Sequence, residues 1–485
     1  VHFTGTTSGT LFLDRPTAFF HADNEIVINV EGTASTLAQS YITELPGIYE
    51  SVTLPEFTPT IEPRYLLGTS ADRNFTVAYQ GSQSFSGSLP SFVVVNAQPF
   101  RLPLGKMTTV PSSVASDTIL LSAAAKKGDI YISCDGSDVG NLTDNDYIQI
   151  TDAAGGTDTS EVRQIKDEVG TSNTFRLDKP LQFDHADNTV IHEVSGGSSP
   201  SGTFTHTVTE TFDLDSLSWN VLFRDTAETA ANDLQRRYVG GIVDSASISA
   251  SEGGMLMMSY DSVPFLNMLH NQANQGTVGN NIFADGGSSE DAGMPRYALM
   301  NSIGPSDVNF PSKEPYYFSQ GSFTLFGQEF ARVRNVAISI SNSSEPRYYV
   351  SPRHGRQRGP SEIRVGRRAY SMSATVALPD TVGATETDVN SANEIFKQLL
   401  LEGNYGDGNG LSGFAVTLTF TRGTSDTITI TIPNDGTAAT GLNEAGAFIL
   451  SAPYNITGDP IIQTDIDILF RNMKIEIVDT TPVYI

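Results

Sequence analysis

The chain has 485 residues, 39% of them hydrophobic, and a formal net charge of -26. That length suits two to four domains of roughly 100–200 residues, with enough apolar residues for packed cores. The acid excess excludes a scaffold that grips nucleic acid by its phosphates; no apolar run approaches the ~18–20 residues of a membrane span; and Cys134, being alone, excludes an intrachain disulfide or a cysteine metal cluster.

Lys is scarce, at eight of the 29 basic residues. High acid with little Lys is what a salt-loving host would favour, because carboxylates hold a hydration shell; an ordinary acidic surface is the plainer alternative. Residues 1–30 show no basic start followed by an apolar core, so no signal peptide is expected. Val1 is not an initiator Met, so either the Met was removed or the chain begins after a cleavage.

Along the chain, strand patterns dominate. YESVTLPEF (49–57), FTVAYQ (75–80), FTHTVTETFDL (204–214), SASISAS (245–251), VRNVAISIS (333–341), FAVTLTFTR (414–422), TITITI (427–432) and DIDILFRNMKIEIV (465–478) alternate apolar and polar residues with period two. Gly, Asn, Asp and Ser clusters separate them. One segment reads clearly as a helix, TDVNSANEIFKQLLLEGNYG (387–406). Asp388 or Ser391 caps it, Ile395, Phe396, Leu399 and Leu400 form its apolar face, and Gly403 stops it. RDTAETAANDLQRRY (224–238) could hold a short second helix.

Two repeats organise the chain. EPRY occurs at Glu62–Tyr65 and at Glu345–Tyr348, each time after a strand pattern and before a polar loop. GSQSFSGS (81–88) and GRRAYSMS (366–373) then follow at nearly the same distance. The second repeat is TLFLDRPTAFFHADN (10–24) against TFRLDKPLQFDHADN (174–188), with nine of fifteen positions identical. Its later copy closes a small β module that starts near Val110; its earlier copy lacks the front half of such a module. The expected organisation is an arm over 1–30, a first large domain from 31–105 plus 203–268, an insert over 106–202, a Gly/Asn-rich linker over 269–315, and a second large domain over 316–485.

These residues carry a family likeness. IEPRYLLGTSADRNFTVAYQGSQSFSGSLPSF (61–92), RRYVGGIVDSASISASEGG (236–254) and ISNSSEPRYYV (340–350) with GRRAYSMSATVAL (366–378) resemble the tail tube proteins of long-tailed phages and haloarchaeal tailed viruses. The likeness covers about two thirds of the chain, omits the insert, and lies in strands and turns, with no invariant motif. It implies an all-β fold: two tandem tube domains of β-sandwich or barrel type, each with a flanking helix. It implies a structural protein of the virion tail, assembled in the host cytoplasm, that conducts DNA during ejection. Its implied partners are further copies of itself, the tape measure protein, and tail terminator and baseplate proteins. Single-domain members form six-fold rings, so a duplicated chain implies three chains per ring with pseudo-six-fold symmetry. Glu62, Arg64, Tyr65, Glu345, Arg347 and Tyr348 then mark the repeated tube core. An outward insert would obstruct a sheath, which leans toward a non-contractile tail.

Enzyme chemistry finds little footing. Gly408, Gly410 and Gly413 fit G-x-G-x-x-G but follow a helix pattern and precede a strand, the reverse of a dinucleotide site. His21 and His185 repeat in the HADN turn, which we read as a turn bonding its own backbone in preference to a metal or catalytic site. Asp144, Asp146 and Asp152 cluster without the Gly and Glu of a calcium loop, so a solvated loop is the better reading. No catalytic residue, metal or cofactor is expected. Arg353, Arg356, Arg358, Arg364, Arg367 and Arg368 crowd one loop without interleaved aromatics. We read them as contacts between stacked rings; contact with DNA in the lumen and a plain solvated loop are the alternatives. The rival readings are a carbohydrate-binding viral spike, weakened by Trp219 being the sole Trp, and a halophile surface-layer protein, which would normally carry an export signal.

Overall fold

A computed structural model describes residues 43–44, 48–49, 53–64, 77–116, 119–151, 156–168, 173–212, 214–223, 234–272, 308–309, 313–325, 328–329, 333–349, 359–377, 415–433, 447–455 and 463–484. Among these the protein is all-β, in two main layers and a separate barrel.

The first layer is a ten-stranded sheet. With strands numbered in chain order, its path is β2 (Ile48–Tyr49), β4 (Val77–Val93), β16 (Met257–Phe265), β15 (Ser245–Ser251), β21 (Val333–Ser341), β24 (Ala369–Ala377), β29 (Gln463–Phe470) and β27 (Ala447–Ser451). β3 (Thr53–Arg64) also pairs with β4, and β28 (Tyr454–Asn455) with β29. The second layer runs β20 (Gln328–Glu329), β19 (Gly321–Leu325), β25 (Val416–Arg422), β26 (Asp426–Ile432), β30 (Lys474–Asp479), β12 (Phe204–Glu210) and β5 (Gly105–Pro111).

Alternation decides which way each strand faces. In β25 and β26, Val416, Leu418, Phe420, Ile428, Ile430 and Ile432 turn inward while the intervening Thr residues stay half-exposed. One apolar core joins the layers, with Phe92, Val263, Ile338 and Ile468 meeting Leu418, Ile430 and Ile477. A short helix, α1 (Gln98–Leu104), carries Pro99 in its first turn and ends where Gly105 takes φ 101°. It contributes Phe100 and Leu104 to this core, and the Tyr260 hydroxyl donates to Pro99 O at 2.9 Å.

The stretches assigned to two large domains share both layers. β15 and β21 form seven residue pairs, and β12 and β30 form six. The described parts of 31–105, 203–268 and 316–485 thus make one body around one core. Tyr316, the first residue after the expected linker, is fully buried beneath the Arg422 guanidinium, 4.3 Å from its ring.

Smaller elements complete the body. β13 (Leu217–Phe223), β14 (Leu234–Gly241) and β17 (Asn267–Gln272) form a three-stranded sheet. β14 takes up the end of the segment that looked helical from its sequence. Pairing with strands on both flanks supplies its backbone bonds and overrides a weak local preference. The helix expected over 387–406 lies outside the described residues. β22 (Glu345–Arg347) and β23 (Glu362–Arg364) form a two-stranded ribbon, and β1 (Thr43–Glu44) pairs in parallel with β18 (Val308–Asn309).

The insert closes on itself. β6 (Ile119–Leu121), β7 (Tyr131–Asp135), β8 (Tyr147–Ile150), β9 (Glu161–Glu168), β10 (Thr174–Leu177) and β11 (Val190–Glu193) form a barrel in the order β10-β7-β6-β11-β8-β9. It has its own core, including Ile132, Ile148, Phe175 and Ile191. This module is narrower than 106–202, because Lys106–Pro111 belongs to β5 of the main body. The barrel leans on that strand: Thr109 N donates to Ser160 O at 2.9 Å, and the Ser160 hydroxyl returns to Thr109 O at 2.8 Å.

The HADN turn bonds differently from expectation. The backbone of His185 pairs with Ala125 across the barrel. Its side chain reaches Glu161 Oε1 at 2.8 Å and Thr151 O at 3.1 Å, so it ties two strands together and does not serve its own turn. Burial alone would raise the Glu161 carboxyl. The charge of Arg163 at 2.5 Å, the His185 bond and the Gln182 amide outweigh it and hold the carboxyl below its ordinary value.

Candidate assembly surfaces

The two EPRY copies sit on matching arms. Glu62, Pro63 and Arg64 end β3 opposite Tyr79, Ala78 and Val77. Glu345, Pro346 and Arg347 form β22 opposite Arg364, Ile363 and Glu362. Glu62, Glu345, Arg347 and Tyr348 are exposed, so these residues mark the rim and lie outside the core; Tyr65 lies outside the described residues. Pro fits such an arm because an edge strand can spare an N–H. The arms touch, with the Tyr348 hydroxyl donating to Gln83 O at 3.1 Å, and they expose Ile61, Tyr79 and Tyr349 beside that contact.

The repeat extends to backbone register. The EPRY copies differ by 345 − 62 = 283 positions, and the Gly-led blocks by 366 − 81 = 285. Phe57 stands opposite Phe85. Adding those offsets gives Ile340 and Tyr370, which also stand opposite each other. On the next strand, Phe85 faces Phe265 and Tyr370 faces Phe470. Strand order repeats as well, β3-β4-β16-β15 followed by β21-β24-β29-β27. Two four-stranded units are thus joined edge to edge where β15 meets β21.

The face of this sheet turned away from the core is mostly small and hydroxylated, with Leu469 exposed opposite Ser371. It presents Ser82, Ser84 and Ser86 from β4, Ser245, Ser247, Ser249 and Ser251 from β15, Ser339 from β21, and Ser371, Ser373 and Thr375 from β24. Asp261, Asp465 and Asp467 add negative charge. The carboxylates take hydroxyl bonds: Ser259 to Asp261 at 2.6 Å, Thr375 to Asp465 at 2.6 Å and Ser451 to Asp467 at 2.6 Å. Arg334 is the one basic residue on β4, β15, β16, β21, β24, β27 and β29, and Glu252 neutralises it at 2.9 Å. Sequence reading did not single this face out, although Ser at every second position in SASISAS, ISIS and SMS was its signal.

The arginines divide. Arg353, Arg356 and Arg358 lie outside the described residues. Arg364 is exposed on β23 beside Glu362 at 2.5 Å, and Arg367 is exposed. Arg368 is engaged within its own chain, donating to Asn342 Oδ1 at 2.7 Å and Thr211 O at 3.1 Å. It therefore buttresses the body. Changing Arg356, Arg358 and Arg364 together to Ser should leave the monomer folded. On the ring assembly that the resemblance implies, it should also raise the concentration needed for assembly, because individually weak exposed pairs add up when repeated around a ring. Sedimentation of the triple variant against concentration checks this; unchanged assembly would overturn the inter-ring reading of these arginines.

The other residues weighed for chemistry find structural roles or none. Asp146 is buried and accepts from Thr143 N at 2.7 Å and Thr143 Oγ1 at 2.8 Å, closing its own loop. Asp144 is exposed. Asp152, His21, Gly408, Gly410 and Gly413 lie outside the described residues. Trp219 packs edge-on to Phe265, ring centroids 5.0 Å apart. No protein-family model matches the chain, and no curated protein matches it.

Proposed function

We propose that the protein is a structural subunit of a viral tail tube. In this reading it polymerises as stacked rings into a hollow, non-contractile tube that conducts DNA during ejection and performs no catalysis. One observation carries it: two register-matched units in a single sheet, whose free face offers hydroxyls and carboxylates with almost no cation. Three chains supply six such units, a pseudo-six-fold ring around that face. On β4, β15, β16, β21, β24, β27 and β29, phosphates find only Arg334, which Glu252 neutralises. Carboxylates repel them across a Debye length of about 8 Å at physiological salt, and about 3 Å in molar salt. The tape measure protein during assembly, terminator and baseplate proteins at the ends, and DNA in transit are the partners this reading requires.

Negative-stain microscopy and native mass spectrometry of the purified chain test it. Hollow striated tubes or rings of three chains are expected. Isolated spikes, flat lattices or rings of six chains would overturn it.

The barrel leans on β5, in the layer behind the hydroxylated face, which supports a place outside the tube. Replacing residues 113–201 with a short Gly/Ser linker should leave the body folded and assembling, because Ser112 N already donates to Thr203 O at 2.8 Å across the cut. Electron microscopy of the excised variant checks this. A folded body that no longer polymerises would make the barrel part of the ring contact.

A further inference from the structure

Among the described residues, the ten-stranded sheet ends in two unpaired edges. At one, β2 and β3 continue each other along β4, with Ile48 opposite Val93, Tyr49 opposite Phe92 and Thr53 opposite Ser88. At the other, β27 and β28 lie along β29, from Ala447 opposite Phe470 to Asn455 opposite Gln463. Among the described residues, nothing pairs with the far side of either edge. In the middle of the same sheet, the equivalents of these edges are already joined. β15 holds in the first unit the place of β27 in the second, and β21 holds the place of β3.

We propose that this internal junction recurs between molecules: the β27–β28 edge of one copy pairs antiparallel with the β2–β3 edge of the next, in the register of β15 on β21. The inference rests on the ring reading above and names the surface that would close the ring.

The register follows from the repeat. Ser245 faces Ser262, three residues before Phe265; Ser451 faces Asp467, three residues before Phe470. Ser341 follows Ile340, the partner of Tyr370; Thr58 follows Phe57, the partner of Phe85. Since Ser245 faces Ser341 at the internal junction, Ser451 of one copy faces Thr58 of the next. Ala452 then faces Phe57, and Tyr454 faces Pro55.

The two junctions differ in strength. At the internal one, Asn342 N donates to Asp244 O at 2.7 Å, so the even-numbered residues of β21 direct their backbone at β15. Their counterparts in β3, on the near side of the bulge between Thr53 and Glu56, are Pro55, Phe57 and Pro59. Pro55 and Pro59 bring carbonyl acceptors but no donor. The seam thus forms fewer bonds than the junction it copies. Such an edge resists indiscriminate pairing yet still accepts a strand whose donors meet its carbonyls. The internal junction is built in on folding, and the seam is left to form on assembly.

Cross-linking tests this in the full chain with Cys134→Ala, so that the only thiols are those introduced. Ser451→Cys with Thr58→Cys puts two thiols on a pair about 4.5 Å apart between Cα atoms, within disulfide reach. Ser451→Cys with Glu62→Cys shifts one thiol four residues, about 13 Å along the strand, beyond reach. Unchanged melting of each variant, followed by Trp219 emission, shows that it folds. Under mild oxidation the first pair should yield linked chains up to trimers, with at least tenfold less product from the second. Rings seen by microscopy without linkage of the first pair, or with equal linkage of both, overturn the seam and leave the ring reading standing. A folded chain that stays monomeric at every concentration overturns both, and the prolines then simply seal the edge.

Discussion

Glu161→Ala should unfold the small barrel while leaving the two-layer body intact. The carboxylate is nearly solvent-free and serves four donors: Arg163 at 2.5 Å, His185 at 2.8 Å, and the amides of Gln182 at 2.9 Å and Phe183 at 3.2 Å. Removing it strands a buried guanidinium. Breaking one side of a buried pair costs about 3–5 kcal/mol, against about 5–15 kcal/mol for an entire domain. Two residues report the two bodies separately. Cys134, the only Cys, lies in the barrel core, where burial, with Asp135 adding to it, pushes its thiol up to about 12, so it resists labelling until the barrel opens. Trp219, the only Trp, lies in the body. The variant should label at Cys134 at a temperature where Trp219 emission still reads native. Protection of Cys134 equal to that of the parent protein would show that Glu161 does not hold the barrel.

The same group gives the barrel a pH dependence of known sign. Its folded carboxyl titrates below the ordinary 4.5, so its contribution is fully present above about pH 4.5 and is lost as pH falls through the folded value. Asp479 behaves likewise in the body: burial would raise its carboxyl, but the bonds from His206 and Tyr484 and the charge of Lys313 hold it below 3.8. Cys134 labelling by a pyridyl disulfide, taken relative to the rate of a free thiol at the same pH because the thiolate is the nucleophile, should therefore increase on acidification below pH 4.5 in the parent protein. In Glu161→Gln, which has no charge to lose, the change should be smaller.

Phe265→Ala should destabilise the body by about 3–5 kcal/mol, the usual cost of truncating a fully buried aromatic. The ring meets Trp219 at 5.0 Å and Tyr238 at 5.6 Å and stands on the strand opposite Phe85. Gly241 is open to no side chain because a Cβ there would collide with this ring. Gly241→Ala should therefore also destabilise, and the double variant should lose less than the sum, since truncating the ring makes room for the methyl. Urea titrations followed by Trp219 emission measure all three. Strict additivity, or a loss under about 1 kcal/mol for Phe265→Ala, would show that the site relaxes around the change. By register, Phe470 is the counterpart of Phe265 and stacks on Tyr370 at 5.3 Å, so Phe470→Ala should cost a comparable amount.

The sequence by itself determined the fold class, the inward face of each long strand and the repeat. Thr-Ile alternation over 427–432 can bury only one face, and EPRY at Glu62 and Glu345 places the two units in register to within two positions. It also located the barrel, through the HADN segment that closes it. Only the tertiary structure decided which strands are neighbours. Period two says which side of a strand is buried but not which edge meets it, because backbone donors and acceptors are alike on every strand. Hence β15 joining β21, and β12 joining β30, merge stretches that read as separate domains. For the same reason Arg368, one of six arginines crowded in sequence, turns inward to Asn342, and His185 finds Glu161 across the barrel. Those contacts depend on distances that close only when residues far apart in the chain are brought together.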